Sequence, residues 1–115
     1  MDLDIKIERL MSEYRRCAAE IPVAKARMKK LEEMKKTRLA LEMVQAGKEG
    51  HKTAAAQERE AYASDGYMVY LDDLERATIA YESLRVRMEG VSLEAELLRT
   101  REASRRSEQR GYGMS

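Results

Sequence analysis

The sequence has neither Trp nor Phe, and among its 115 residues only one Pro, one Cys and one His. Without large aromatic anchors, a compact globular core is not expected. The single cysteine, Cys17, excludes an intrachain disulfide framework and fits a reducing compartment. The single histidine, His51, falls in a polar, Gly-containing turn, so neither a metal site nor a nucleophilic triad can be assembled around it. No Gly-rich phosphate loop occurs, and the glutamates are spread as a helix surface requires. The chain therefore reads as a non-enzyme with no catalytic residue, metal ligand or cofactor. Long hydrophobic runs are missing too. Nothing approaches the roughly 20 apolar residues of a spanning helix, and the start, Met1-Asp2-Leu3-Asp4, is acidic where a secretory signal would be basic. A cytoplasmic protein without membrane association is the expectation.

What the sequence does have is charge and periodicity. Charged residues make up 37% of the chain, with 22 basic residues against 21 acidic ones. Ala, Glu, Lys, Leu, Arg and Met together dominate the chain, the composition of long helices. From Leu3 the apolar positions are Leu3, Ile7, Leu10, Tyr14, Cys17, Ile21, Ala24, Met28 and Leu31, an unbroken 4,3 alternation over four heptads. Such a pattern specifies a narrow seam facing another helix, roughly 40 Å long at 1.5 Å per residue. A second periodic run, Leu71, Leu74, Ala77, Tyr81, Leu84, Met88, Val91, Ala95 and Leu98, comes later and can return antiparallel along the first. The expected fold is all-α, a long antiparallel helical hairpin with coiled-coil seams that assembles into an oligomer.

Breakers divide this pattern. Pro22 lacks an N–H and clashes with the preceding turn, so a kink or break is expected near Ile21. Beyond Leu31 the seam positions become Lys35 and Arg38, and the apolar residues shift to Met34, Leu39, Leu41, Met43 and Val44. The stretch from Gly47 to Lys52 holds two glycines and no apolar residue, which suits a helix end and an exposed turn. Thr53 suits an N-cap, and Ser64-Asp65-Gly66 interrupts again, with Ser64 or Asp65 able to cap the return helix. The expected organisation is a single helical domain over 1–106, with an arm 2–21, a basic helix 22–46, a turn 47–52, a short helix 53–63 and a return helix 67–106. A flexible tail, 107–115, completes it. Gly90, in the middle of the return helix, marks close packing, a bend or simple tolerance.

Between Lys25 and Arg38 seven of fourteen residues are basic, against only Glu32 and Glu33, a local net of +5. Lys25, Lys29, Lys30, Lys35, Lys36 and Arg38, with Lys48 beyond them, form a candidate nucleic-acid-binding surface, since clustered cations neutralise phosphates irrespective of base sequence. The other reading is a solvated coiled-coil face whose charges pair with neighbouring helices. Lys35 and Arg38, standing where the heptad calls for apolar residues, favour the first. Tyr62 and Tyr67 flank the Ser64–Gly66 break and are candidate stacking platforms for unpaired bases, or packing residues. A second basic cluster, Arg99, Arg101, Arg105, Arg106 and Arg110, suits a helix C-terminus and has Asp2, Asp4 and Glu8 as expected partners.

The order of elements resembles the UvsY family of bacteriophage recombination mediators. The likeness lies in Lys36-Thr37-Arg38-Leu39, the turn Ala46-Gly47-Lys48-Glu49-Gly50, Ala63-Ser64-Asp65 and Arg101-Glu102-Ala103, across residues 20–106. Arg59–Ala63 and the Arg-rich end look like small phage proteins encoded near recombination genes. The resemblance implies a ring-like homo-oligomer in a phage-infected bacterial cell that binds single-stranded DNA and helps a RecA-like recombinase displace the single-strand-binding protein. The family's basic pair would correspond to Lys36 and Arg38. The chain departs from the family in lacking a Trp on the return helix and in its longer arm. Two other classes share the composition: a structural or chaperone-like hairpin that binds proteins without nucleic acid, and an antitoxin or inhibitor wrapped around a partner.

Overall fold

A computed structural model of the chain describes residues 2–113. Among them are four helices and no strand: α1 (Asp2–Glu33), α2 (Lys35–Lys48), α3 (Ala54–Ala63) and α4 (Asp65–Gly113). The chain divides into two compact units, Met1–Ile21 with Ser83–Ser115, and Pro22–Glu82.

In the first unit the early part of α1 runs antiparallel to the later part of α4. Arg87 on α4 donates from Nε to Glu13 on α1, and Arg99 lies 4.0 Å from the Met11 sulfur. The residues between them come from the two heptad runs. Cys17, Val91 and Ala95 are buried, while Leu10, Tyr14, Leu84, Met88 and Leu98 are half-buried. The side chains are small at the centre, which lets two helices approach without any large residue to fill the space. The free thiol of Cys17, 1% exposed, serves there as a small apolar group.

The second unit repeats the antiparallel pairing with the end of α1 and the start of α4, and adds α2 and α3. Ala24, Met28 and Leu31 are half-buried, facing the run that holds Tyr70 and Ala77, both buried. Helix α2 ends in a Schellman turn: His51 N–H donates to the Ala46 carbonyl at 3.1 Å and Gly50 N–H to Gly47 at 3.2 Å. Gly50 takes the positive φ of 107° that such a turn requires of its C′ residue. Thr53 caps α3, its Oγ1 accepting from Ala56 N–H at 3.1 Å. Gln57 on α3 then reaches back to the His51 carbonyl at 2.9 Å, and Ala46 and Ala61 close the α2–α3 contact at 3% and 0% exposure. Ser64 joins α3 to α4 through two bonds: its hydroxyl donates to the Ala61 carbonyl at 2.7 Å and accepts from Tyr67 N–H at 3.1 Å. It thereby ends α3 and caps α4 at once.

Several boundaries differ from the sequence expectation. Helix α1 passes through Pro22 without interruption. Proline removes one N–H, and the carbonyl it leaves belongs to Ala18, whose residue is exposed and open to water. The break falls instead at Met34, between α1 and α2. Gly47 and Lys48 belong to α2, because the Schellman turn uses Gly50 and not Gly47 as its left-handed residue. Only Ser64 interrupts the chain between α3 and α4, and Asp65 and Gly66 already lie in α4. The segment 107–113, expected as a flexible tail, continues α4 to Gly113. Arg105 and Arg106 both pair with Glu102, at 2.8 and 3.4 Å, and so brace the turns that lead into it. Residues 114 and 115 of the expected tail lie outside the described residues.

Candidate nucleic-acid interface

The seven basic residues expected to bind nucleic acid do not form one stripe. Lys25, Lys29 and Lys30 belong to α1, and Lys35, Lys36, Arg38 and Lys48 to α2. At 3.6 residues per turn, Lys25 and Lys29 fall on one flank of the α1 seam, whereas Arg27 and Lys30 fall on the other. All are exposed except Arg38, which is half-buried. Arg38 sits on the course of the seam and is neutralised there: its guanidinium is 3.7 Å from Glu42, whose side chain is 15% exposed. The arginine side chain is itself 40% exposed, and its counter-ion stands one turn further along α2. Lys35 is exposed because α2 starts at that residue and does not continue the α1 seam.

The second flank carries the clearest constellation. An open groove of about 660 Å³ runs between α1 and α4 inside the second unit. Arg27 and Lys30 line it from α1 and Arg76 from α4, together with Leu31, Met34, Ala77 and Ala80, while Asp73 supplies one acid. Arg27, Lys30 and Arg76 have no carboxylate within 4.0 Å among the described residues. Cations that line a groove with an apolar wall and no counter-ion of their own match a phosphate chain carrying flat, partly apolar bases. Arg76 is not among the residues that the sequence alone points to. The signal for it is indirect: it stands one position before Ala77 of the α4 seam, so an antiparallel register places it beside the end of α1.

The two tyrosines separate. Tyr67 is 4% exposed, its ring set edge-on to Tyr62 at 5.4 Å and tilted against Tyr70 at 5.8 Å. A ring enclosed in this way stacks on its neighbours and presents no face to a base. Tyr62 is 47% exposed and remains the accessible member of the pair. The C-terminal arginines also find partners other than those expected: Arg105 and Arg106 take Glu102, and Glu8 takes Arg15 at 3.3 Å. The two arginines hold the Glu102 carboxyl below its ordinary range, chiefly through the hydrogen bond from Arg105.

Among the described residues no cluster of His, Cys, Asp and Glu is arranged to hold a metal ion, and no helix is long and apolar enough to cross a membrane. The chain matches no known protein family, no characterised protein and no solved structure.

Proposed function

We propose that this chain is a non-catalytic, self-associating accessory protein that binds single-stranded DNA through the basic surface of α1 and α2 and the adjoining groove. The observation that carries the reading is the grouping of Arg27, Lys30 and Arg76 along one groove that holds a single acid, Asp73, with none of the three in an ion pair among the described residues. Lys25, Lys29, Lys35, Lys36 and Lys48 extend the positive field around it. Binding of this kind follows phosphate charge and stacking, without base readout. In keeping with the resemblance to the UvsY mediators, the biological setting is phage recombination, with a RecA-like recombinase and a single-strand-binding protein as partners. Repeated copies would turn a modest patch into a strong one by raising the effective concentration of neighbouring sites.

Fluorescence anisotropy of the purified chain with a labelled single-stranded oligonucleotide, at low and moderate salt, tests this directly. Affinity that falls steeply with salt supports it, and absence of binding at low salt ends it.

A second reading has its own observation. Leu41 and Val44 on α2 are each 57% exposed. An apolar strip beside a basic helix suits a protein partner as well as a nucleic acid. On that account the chain is a chaperone-like or structural hairpin, and its binding survives high salt.

A further inference from the structure

Helix α4 has two apolar faces, and the hairpin uses only one. The inner face is the seam of Leu84, Met88, Val91, Ala95 and Leu98. Starting at Ser83, a second series with the same 4,3 alternation runs through Val86, Gly90, Leu93, Leu97 and Thr100. At 100° per residue these six positions fall within a narrow band on the opposite side of the helix. All six are exposed, with Val86 at 66%, Leu93 at 59% and Leu97 at 49%. None of them is charged, although six of the other seven exposed positions between 83 and 100 are. Exposure alone does not sort residues in this way. A strict seven-residue repeat of uncharged positions on a wet face is the pattern of a helix seam awaiting a partner.

The flanking charges identify that partner. One position before each of Ser83, Gly90 and Leu97 stand Glu82, Glu89 and Glu96, an all-acidic row. One position after Val86, Leu93 and Thr100 stand Arg87, Glu94 and Arg101. In a parallel pair of identical helices each row faces the other row of the second copy. Glu82 then meets Arg87 and Glu96 meets Arg101, with Glu89 against Glu94 as the one like-charge step. In an antiparallel pair each row faces its own copy, and the acidic row lies against itself in every register. Arg87 already holds Glu13 of its own chain, and the guanidinium fork has donors for a second carboxylate. Gly90 sits in the middle of the band, and a β-carbon there meets nothing within 4 Å. In a parallel pair it faces its own copy and lets the two backbones approach closely.

We infer that the outer face of α4 is the self-association surface, and that its occupant is α4 of a second copy, parallel and in register. This inference rests on the reading that the chain self-associates, and it replaces the main heptad seams as the means, because the hairpin consumes those internally.

The test is sedimentation of the full chain over a concentration series, beside the double variant Val86→Glu/Leu93→Glu and the single variant Leu97→Cys. The double variant should keep its helical circular dichroism, since both positions are exposed, and its dissociation constant should rise by about tenfold or more. Under mild oxidation Leu97→Cys should give a disulfide-linked dimer that Cys17, 1% exposed, does not give in the parent chain. Self-association unchanged in a folded double variant overturns this surface but leaves the proposed self-association standing. A parent chain that is monomeric throughout overturns both. A dimeric chain in which Leu97→Cys does not cross-link overturns the parallel pairing, and this holds even where the double variant loses its helix.

Discussion

The hydroxyl of Tyr70 on α4 donates a hydrogen bond to the backbone carbonyl of Leu31 on α1. That carbonyl lies in the last turn of α1, where Met34 N–H is shared between Lys30 at 3.1 Å and Leu31 at 3.2 Å. A helix that tightens and ends leaves carbonyls without their usual donors, and here a side chain from the facing helix supplies one. Tyr70 is 3% exposed, so the pair is sheltered from water. The Leu31 carbonyl keeps the Met34 N–H when the hydroxyl is removed, so Tyr70→Phe should lower stability by about 0.5–1.5 kcal/mol, the usual net worth of one hydrogen bond. Urea unfolding of the two proteins measures it.

The same residue makes stability sensitive to alkali. Burial, and then the neighbouring Tyr67 and Glu32, raise the Tyr70 phenol above its ordinary 10.0. The folded state thus holds this proton more tightly than the unfolded state. The contribution is fully present below the unfolded pKa and is lost as pH rises through the higher folded value. Unfolding midpoints followed from neutral pH into the alkaline range should fall more steeply for the parent chain than for Tyr70→Phe. Parallel curves would contradict the assignment.

How far the sequence reveals this architecture depends on which interaction sets each feature. The two heptad runs are legible because burial on one helix face imposes a period on the chain itself, and each seam position from Leu3 to Leu31 and from Leu71 to Leu98 is buried or half-buried. The break at Met34 is not legible. It is tied to Tyr70, 39 residues away from Leu31, whereas Pro22, the local breaker, stands where water can satisfy the orphaned carbonyl. The α2–α3 contact is equally hidden, because Ala46 and Ala61 carry no pattern that distinguishes them from exposed alanines. The basic cluster is visible as composition, but its division between two flanks of α1, and the joining of Arg76 to one of them, depend on the antiparallel register. Arg38 shows the converse: by its heptad position it is an unpaired seam charge, yet Glu42, four residues on, already pairs with it.

Pro22 gives a prediction of its own. Proline in a helix interior is about 3 kcal/mol less favourable than alanine. Because α1 is continuous through this position and Pro22 is exposed, alanine fits without a clash and restores one backbone bond. Pro22→Ala should therefore raise stability, by about 1–3 kcal/mol. A lower unfolding midpoint would mean that the native structure needs the proline.

Two helical glycines should respond to different degrees. At Gly90 a β-carbon meets open space, so Gly90→Ala should stabilise the chain by about 0.5–1 kcal/mol at concentrations where copies are dissociated. At Gly66 a β-carbon would overlap the carboxylate of Glu42, the group that pairs with Arg38. That carboxylate is the far end of a flexible side chain and can swing aside, but doing so loosens its 3.7 Å pair with Arg38, so the gain from Gly66→Ala should be smaller than that from Gly90→Ala by about 0.3–0.5 kcal/mol. Thermal denaturation of both variants at low protein concentration decides the comparison.

The groove sets apart two ways in which basic residues could matter. Arg76→Glu reverses a charge that has no ion partner among the described residues and lines the groove with Arg27 and Lys30. Lys36→Ala with Arg38→Ala instead removes one exposed charge and one already held by Glu42. Both variants should weaken single-stranded DNA binding while leaving oligomer mass intact. If phosphates lie in the groove, Arg76→Glu has the larger effect, roughly fivefold or more at low salt. The slope of log affinity against log salt should also become shallower by about 0.7 for each phosphate that is no longer neutralised. Equal weakening in the two variants would point to a diffuse field over α1 and α2. An effect confined to Lys36→Ala with Arg38→Ala would move the binding surface to α2 and out of the groove.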